Sequence, residues 1–379
     1  MKRIIVVMLL MISVFLLKAQ NKIHPINFSI WNPVALASYD SLCTTNFNLG
    51  LYSKTYRLNG IGLNILAHKN QENINGLTFS GVGEYVNGNM SGLQISGLFN
   101  LVKGHMHGIQ IATIQNTNVM HTKGIMIAGI TNFSIGNSRG VQLAGAANMA
   151  GSNFSGFQAS LGVNIASSSS NLFQISALTN VCADRIHGVQ IGAGNYAAGI
   201  KGFQLGLLNF CTGEVGGLQM GIINYSEDTS AVKLGLVNIS PRTRIQLMAY
   251  ESNIVQNNLA VRFRNGYSYT IIGIGTNYKT FDNRTSGAII YRLGLGVNIF
   301  KVFYVSADAG YNHIENLNDG NKTDFPKRLY SLQARCNLEF HPFHRFGVFA
   351  SGGYSHTRHY DSKETFENKP ILEFGIVLF

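Results

Sequence analysis

Charge is scarce in this chain. Only 12% of its 379 residues are Asp, Glu, Lys or Arg, which is little for a soluble enzyme of this length. Proline is scarcer still, with six in all and none between Pro33 and Pro241. Proline cannot donate to a β ladder, so such a stretch permits uninterrupted strands. The four cysteines do not form a disulfide framework. Cys182 and Cys211 fall two strand spacings apart on a sheet, roughly 9–10 Å, which is beyond disulfide reach. Cys43 and Cys336 could meet only if distant parts of the chain come together, and buried free thiols fit better. Beyond the first twenty residues no apolar run approaches the ~20 residues a membrane helix needs. No His-Glu-x-x-His motif, phosphate loop or nucleophile elbow is present, and no basic block or basic–aromatic stripe points to nucleic acid. Neither a cofactor nor a resident metal is implied.

What is present begins with an export signal. Lys2 and Arg3 precede the apolar run Ile4–Leu17, and Lys18-Ala19-Gln20 supplies a cleavage region, so residues 1–20 read as a cleaved signal peptide. Without Lys2, Arg3 and Lys18 the formal charge falls by three, from +11 to +8. Residues 21–45, with Pro25, Pro33 and the only tryptophan, Trp31, read as an irregular arm.

The dominant feature is a beat of sixteen residues. Glycine recurs at Gly76, Gly92, Gly108, Gly124, Gly140 and Gly156, and resumes at Gly188 after Leu172 takes one slot. Two residues later stands Gln94, Gln110, Gln142, Gln158, Gln174 or Gln190, with Met126 as the exception. Six residues after the Gln comes Asn100, Asn116, Asn148, Asn164 or Asn180; later, shorter copies give Asn195, Asn209 and Asn224. A fixed period in this range means an architecture made by repetition. Within a copy the residues alternate: Leu93, Ile95, Phe99 and Leu101 against Gln94, Ser96 and Asn100. That is the period of a β-strand with one apolar and one amide-rich face. Charges gather in the turns between copies, and Lys233 is the one charge standing in a Gln slot. After residue 244 the beat fades into amphipathic strands, predicted at 245–251, 258–264, 267–278, 287–299, 302–314, 328–340, 345–357 and 370–379.

Two all-β architectures fit residues 46–244 and 245–379. The favoured one is a single antiparallel transmembrane β-barrel of roughly 20–22 strands, built partly from the ~16-residue repeats, each copy one tilted strand of ~9–11 residues. Its lumen would be lined by Gln94, Asn100, Gln110, Asn116, Gln142, Asn148, Gln158, Asn164, Lys233, Arg262, Arg264, Arg335 and Glu339, with Asp308 beside them. Asn100 would then lie opposite Gln110 across a turn. The alternative is a β-solenoid, one coil per copy with like residues stacked on like, followed by a smaller C-terminal barrel. The tandem G-x-Q-x-(small)-x-x-N units, over residues 60–250, resemble exported surface-repeat proteins of Bacteroidota and spirochaetes, and the final strand ending in Phe379 resembles the terminal signal of outer-membrane barrels. The resemblance implies an outer-membrane location in a Gram-negative bacterium, with outer-membrane lipid and the barrel-assembly machinery as partners. It implies no catalytic residues.

The functional expectation is therefore a channel passing small solutes or a structural surface protein, or else a surface-exposed solenoid adhesin carried by a barrel. His341 and His344, and likewise His356 and His359, are spaced so that strand geometry sends them to opposite faces, which favours polar turn residues over a metal site. Ser, His and Asn form no hydrolase arrangement, and an enzyme is not expected.

Overall fold

The computed structural model describes residues 22–31, 34–36, 42–228, 231–281, 285–300, 302–317, 326–343, 345–360 and 364–378. The proposed signal peptide, His344 and Phe379 lie outside them. The chain divides into two compact units, residues 1–187 and 188–379. The only helix among the described residues is the single 3-10 turn Lys279–Phe281. No helix is long and apolar enough to cross a membrane, which says nothing of a β-barrel.

The first unit is a parallel β-solenoid. In a representative coil, the strand Met90–Ser96 turns at Gly97-Leu98 into the strand Phe99–Val102. Met90–Ser96 pairs in parallel with Met106–Ala112 of the next coil, Gly92 on Gly108 and Gln94 on Gln110. Phe99–Val102 pairs likewise with Gln115–Asn118. The favoured single antiparallel barrel is thus overturned, and the solenoid with a smaller C-terminal barrel is what forms. Alternation alone could not distinguish the two, because strands of either direction have period two. The supposed arm also holds a strand, Lys22–Trp31, in parallel register with Cys43–Thr55.

Stacking explains the glycine beat. Gly124 has φ +151°, and a Cβ there would come within 1.8 Å of the Gly108 carbonyl oxygen in the preceding coil. An L side chain can meet neither demand, so each coil needs glycine at this slot. Leu172, the exception, sits where the ladder shifts register between Phe154 and Gly156.

The second unit opens with further, shorter coils of the same repeat. Phe203–Cys211 pairs in parallel with Leu218–Ser226, and Gln219 stacks on Lys233. Then come eight antiparallel strands closed into a barrel: Arg244–Ser252, Val255–Asn265, Ser268–Tyr278, Ser286–Phe300, Phe303–Asn316, Arg328–Phe343, Phe346–His359 and Thr365–Leu378. The first and last pair through Leu247 and Leu378, which seals the ring. These match the eight predicted C-terminal strands.

Candidate functional site

The repeat-borne candidates do not line a lumen. Gln94, Asn100, Gln110, Asn116, Gln142, Asn148, Gln158 and Asn164 are buried between the two walls of the coils, where they form two ladders. Asn100 Nδ2 donates to Asn116 Oδ1 at 2.8 Å, Asn116 to Asn132 at 2.9 Å, and the series runs through Asn148 and Asn164 to Asn180. The second amide hydrogen goes to a backbone carbonyl, as from Asn116 to Ile127 O. In the other ladder Gln110 Nε2 donates to Gln94 Oε1 at 2.7 Å and Gln158 to Gln142. The Asn column donates toward the C-terminus and the Gln column toward the N-terminus, so their aligned amide dipoles oppose each other. Buried amides bonded to one another along the stack specify one register and leave little for a ligand. Asn132 escaped the sequence reading because it follows the exceptional Met126. At Met126 the Gln ladder breaks: Gln142 Nε2 donates to Ser134 Oγ at 3.1 Å and meets the Met126 sulfur at 3.7 Å, and Gln110 Oε1 has no partner.

Ahead of Asn100 the Asn column carries Glu84 and His68, and Thr55 bonds His68 from outside the column. Thr55 Oγ1 lies 2.8 Å from His68 Nε2, and His68 Nδ1 lies 2.8 Å from Glu84 Oε1. Hydroxyl, imidazole and carboxylate follow one another as in a hydrolase, but all three are buried. His68 and Glu84 serve as rungs. Lys233 ends the Gln column. It is fully buried, its Nζ reaches Asp228 O at 3.4 Å, and burial lowers its pKa to about 8 against the pull of Asp228 and Cys211.

The barrel candidates do converge. Arg262, Arg264, Arg335, Glu339 and Asp308 all point inward and are buried. Arg262 grips Glu339 with both terminal nitrogens, one at 2.9 Å, and its Nε donates to Gln246. Arg292, missed in the sequence, grips Glu373 through two bonds of 2.8 Å and also donates to Tyr250 OH. Each pair joins strands four places apart in a ring of eight, which are diametrically opposite. Arg335 lies 3.4 Å from Asp308, which also accepts from Tyr269 OH and Asn337. Arg264 stacks on the Tyr304 ring, 3.7 Å from its centroid, and donates to Asn298. Eight strands enclose only enough room for side chains, and these fill it.

Outside, the barrel is apolar. Leu247, Leu259, Ile274, Ile289, Leu295, Leu332, Leu338, Leu372 and Phe374 are each at least half exposed. On the strand Arg328–Phe343 the outward series runs Tyr330, Leu332, Ala334, Cys336, Leu338, Phe340. Ten residues at ~3.3 Å, tilted by ~40°, cover about 25 Å, the height of a bilayer's apolar band. Aromatic rings gather at both levels: Tyr311, Tyr330 and Tyr360 at one, Phe303 and Phe340 at the other. The turns at the Phe end, such as Gly266-Tyr267, are two residues long. At the other end they reach seven and eleven, at 279–285 and 317–327.

The remaining histidines make no metal centre: among the described residues no group of three His, Cys, Asp or Glu could hold an ion. His341 meets Glu339, His356 meets Asn368, and His359 packs on Phe366. Cys43, Cys182 and Cys211 are buried and Cys336 is exposed. No family model matches the chain, and neither a curated protein nor a solved structure is significantly similar to it.

Proposed function

We propose that the C-terminal barrel is an outer-membrane anchor and that the solenoid is a binding or scaffolding module held at that membrane. The inverted polarity of the barrel carries this reading: Arg–Glu pairs bridge its interior while Leu, Ile and Phe cover its outside. Water does not favour such an exterior, whereas hydrocarbon requires it. The filled interior argues against solute passage, and the purified protein is expected to give no conductance steps in a planar bilayer. The partners on this reading are outer-membrane lipid and the barrel-assembly machinery, and no catalytic role is part of it.

The coils join the barrel at its short-turn end. There Asn265 donates to Asn238 O and accepts from Ser240 Oγ. In outer-membrane barrels short turns face the periplasm, so the reading puts the junction of coils and barrel on that side, with the last coil running back along the barrel's outer wall, where Tyr291 OH donates to Gly235 O, and departs from the surface-exposed adhesin expected from sequence. Alkaline carbonate extraction of membranes tests the anchor. The chain should stay in the pellet, and its release would overturn the proposal. Leu338→Arg, outward and near mid-height, should destabilise the membrane-inserted protein by about 2–4 kcal/mol, read as a lowered urea midpoint in lipid vesicles.

A further inference from the structure

Each coil of the first unit has two rims, and they differ in kind. At one rim the turn carries Leu98, Ile114, Ile130 and Leu178, with Ala146 and Gly162 in the same slot of the two coils between, and Leu161 beside this column. The leucines and isoleucines of this rim are well exposed, Leu178 at 59% and Leu161 at 74%. The walls leading from this rim are also apolar on the outside, through Leu77, Phe79, Phe99, Ile109, Ile127 and Ile175. The opposite rim bears Lys103, His105, His107, His121, Lys123 and Arg139, all exposed. No acidic residue occurs between Glu84 and Asp184. His107, Lys123 and Arg139 stack directly on one another in successive coils. The like charges of Lys123 and Arg139 repel, and no carboxylate among the described residues pairs with them.

An apolar turn is unusual, because turn backbone normally needs water. Here it does not. The N–H of Leu98 bonds Val82 O at 2.8 Å, that of Ile114 bonds Leu98 O at 2.9 Å, and that of Ile130 bonds Ile114 O at 3.2 Å. The rim thus hands each of these N–H groups to the coil before it, which is the condition hydrocarbon imposes on any backbone it contains.

We infer that the solenoid docks edgewise on a phospholipid bilayer, its Leu98–Leu178 rim inserted among the acyl chains and its Lys123–Arg139 rim level with anionic headgroups. The dimensions agree. From Leu98 back to Leu93 is five residues, about 16 Å of strand, close to one leaflet of a hydrocarbon core ~30 Å thick. Basic side chains flanking an apolar surface add electrostatic attraction to anionic lipid. In the second unit the outer wall of its own coils runs into the barrel's apolar belt. Val232 and Leu234 line a groove of about 760 Å³ together with Leu293, Leu295, Ala307 and Ala334. The inference rests on the anchor reading only in taking the membrane to be the one that holds the barrel.

The test uses the full chain in vesicles of anionic phospholipid with brominated acyl chains. In a Cys336→Ala background, a polarity-sensitive thiol probe is placed at Leu161→Cys, Lys123→Cys or Leu338→Cys. The three remaining cysteines are buried, and the Cys182 thiol is pushed up to about 11 by burial, which keeps it inert. The Leu161 and Leu338 probes should be quenched by the brominated chains and be several-fold less sensitive to aqueous iodide than the Lys123 probe. A Leu161 probe open to iodide while the Leu338 probe is quenched would overturn the inference and leave the anchor standing. If the Leu338 probe also escapes the brominated chains, both readings fail.

Discussion

In the coils, a buried Asn meets another Asn on the next rung; in the barrel, a buried Arg meets a carboxylate from the opposite wall. Asn116 is satisfied by residues sixteen positions before and after it. Arg262 depends on Glu339, 77 positions away. Repetition lets polar burial be solved locally and many times over with neutral groups. Closure of a ring leaves positions that no neighbouring copy can satisfy, and each needs its own long-range partner. The same polar-inside pattern thus has two energetic meanings. In the coils the loss of one member disturbs its neighbours, while in the barrel it strands a charge.

That contrast can be broken by substitution. Arg262→Met should cost about 3–5 kcal/mol, because Glu339 keeps only His341, while Arg262→Met with Glu339→Leu should recover most of the loss. Urea midpoints of the detergent-folded protein measure both, and a double variant no better than the single one would refute the stranded-charge account. Asn116→Leu should cost less, about 1–3 kcal/mol, since it leaves one amide donor of Asn100 and one acceptor of Asn132 unmet. A loss equal to that of Arg262→Met would erase the proposed difference between the regions.

Lys233 is a charge placed in the amide system, so it sharpens the comparison at the boundary. Its pKa is about 8 when folded, against an ordinary 10.5. Between these values the unfolded chain binds more protons than the folded one, so stability should rise as pH increases from about 8 to 10.5. Lys233→Gln should flatten that rise and increase stability at neutral pH, where the buried ammonium is a cost. It would also offer a donor to Gln219 Oε1, which has no partner. An unchanged slope in pH-dependent urea unfolding would remove Lys233 from the account. The smallest effect is expected from Met126→Gln, which should mend the broken column between Gln110 and Gln142 and stabilise by about 0.5–1.5 kcal/mol, seen as a modest rise in the unfolding midpoint.

Much of this was legible in the chain itself. The eight barrel strands followed from alternation, and the inward direction of Arg262, Arg264, Arg335 and Glu339 followed with them. The direction of the repeats did not, because Gln94 and Asn100 share a face whether the next strand returns or repeats. The deciding signal lay in the glycines. A meander has no reason to demand a side-chain-free residue at every sixteenth position, whereas in-register coils do, as the Gly108 carbonyl under Gly124 makes plain. The polar interior was mistaken for a wet one for a related reason: amides suit a lumen and a dry ladder equally, and only their spacing in three dimensions distinguishes the two. Arg292 and Glu373 went unseen as a pair, since 81 positions separate them and no local pattern joins them.

The sixteen-residue register also makes the solenoid a ruler of adjustable length. Removing residues 116–131 would bring Asn100 against Asn132, in the contact it now makes with Asn116, and Gln110 against Gln142, whose amide would supply the donor that Gln110 Oε1 lacks. The molecule would shorten by one rung, about 4.8 Å, and lose its only Met-for-Gln break in the same step. Reach can therefore be changed by whole coils without redesigning any contact, a freedom the barrel, with its paired diameters, does not have.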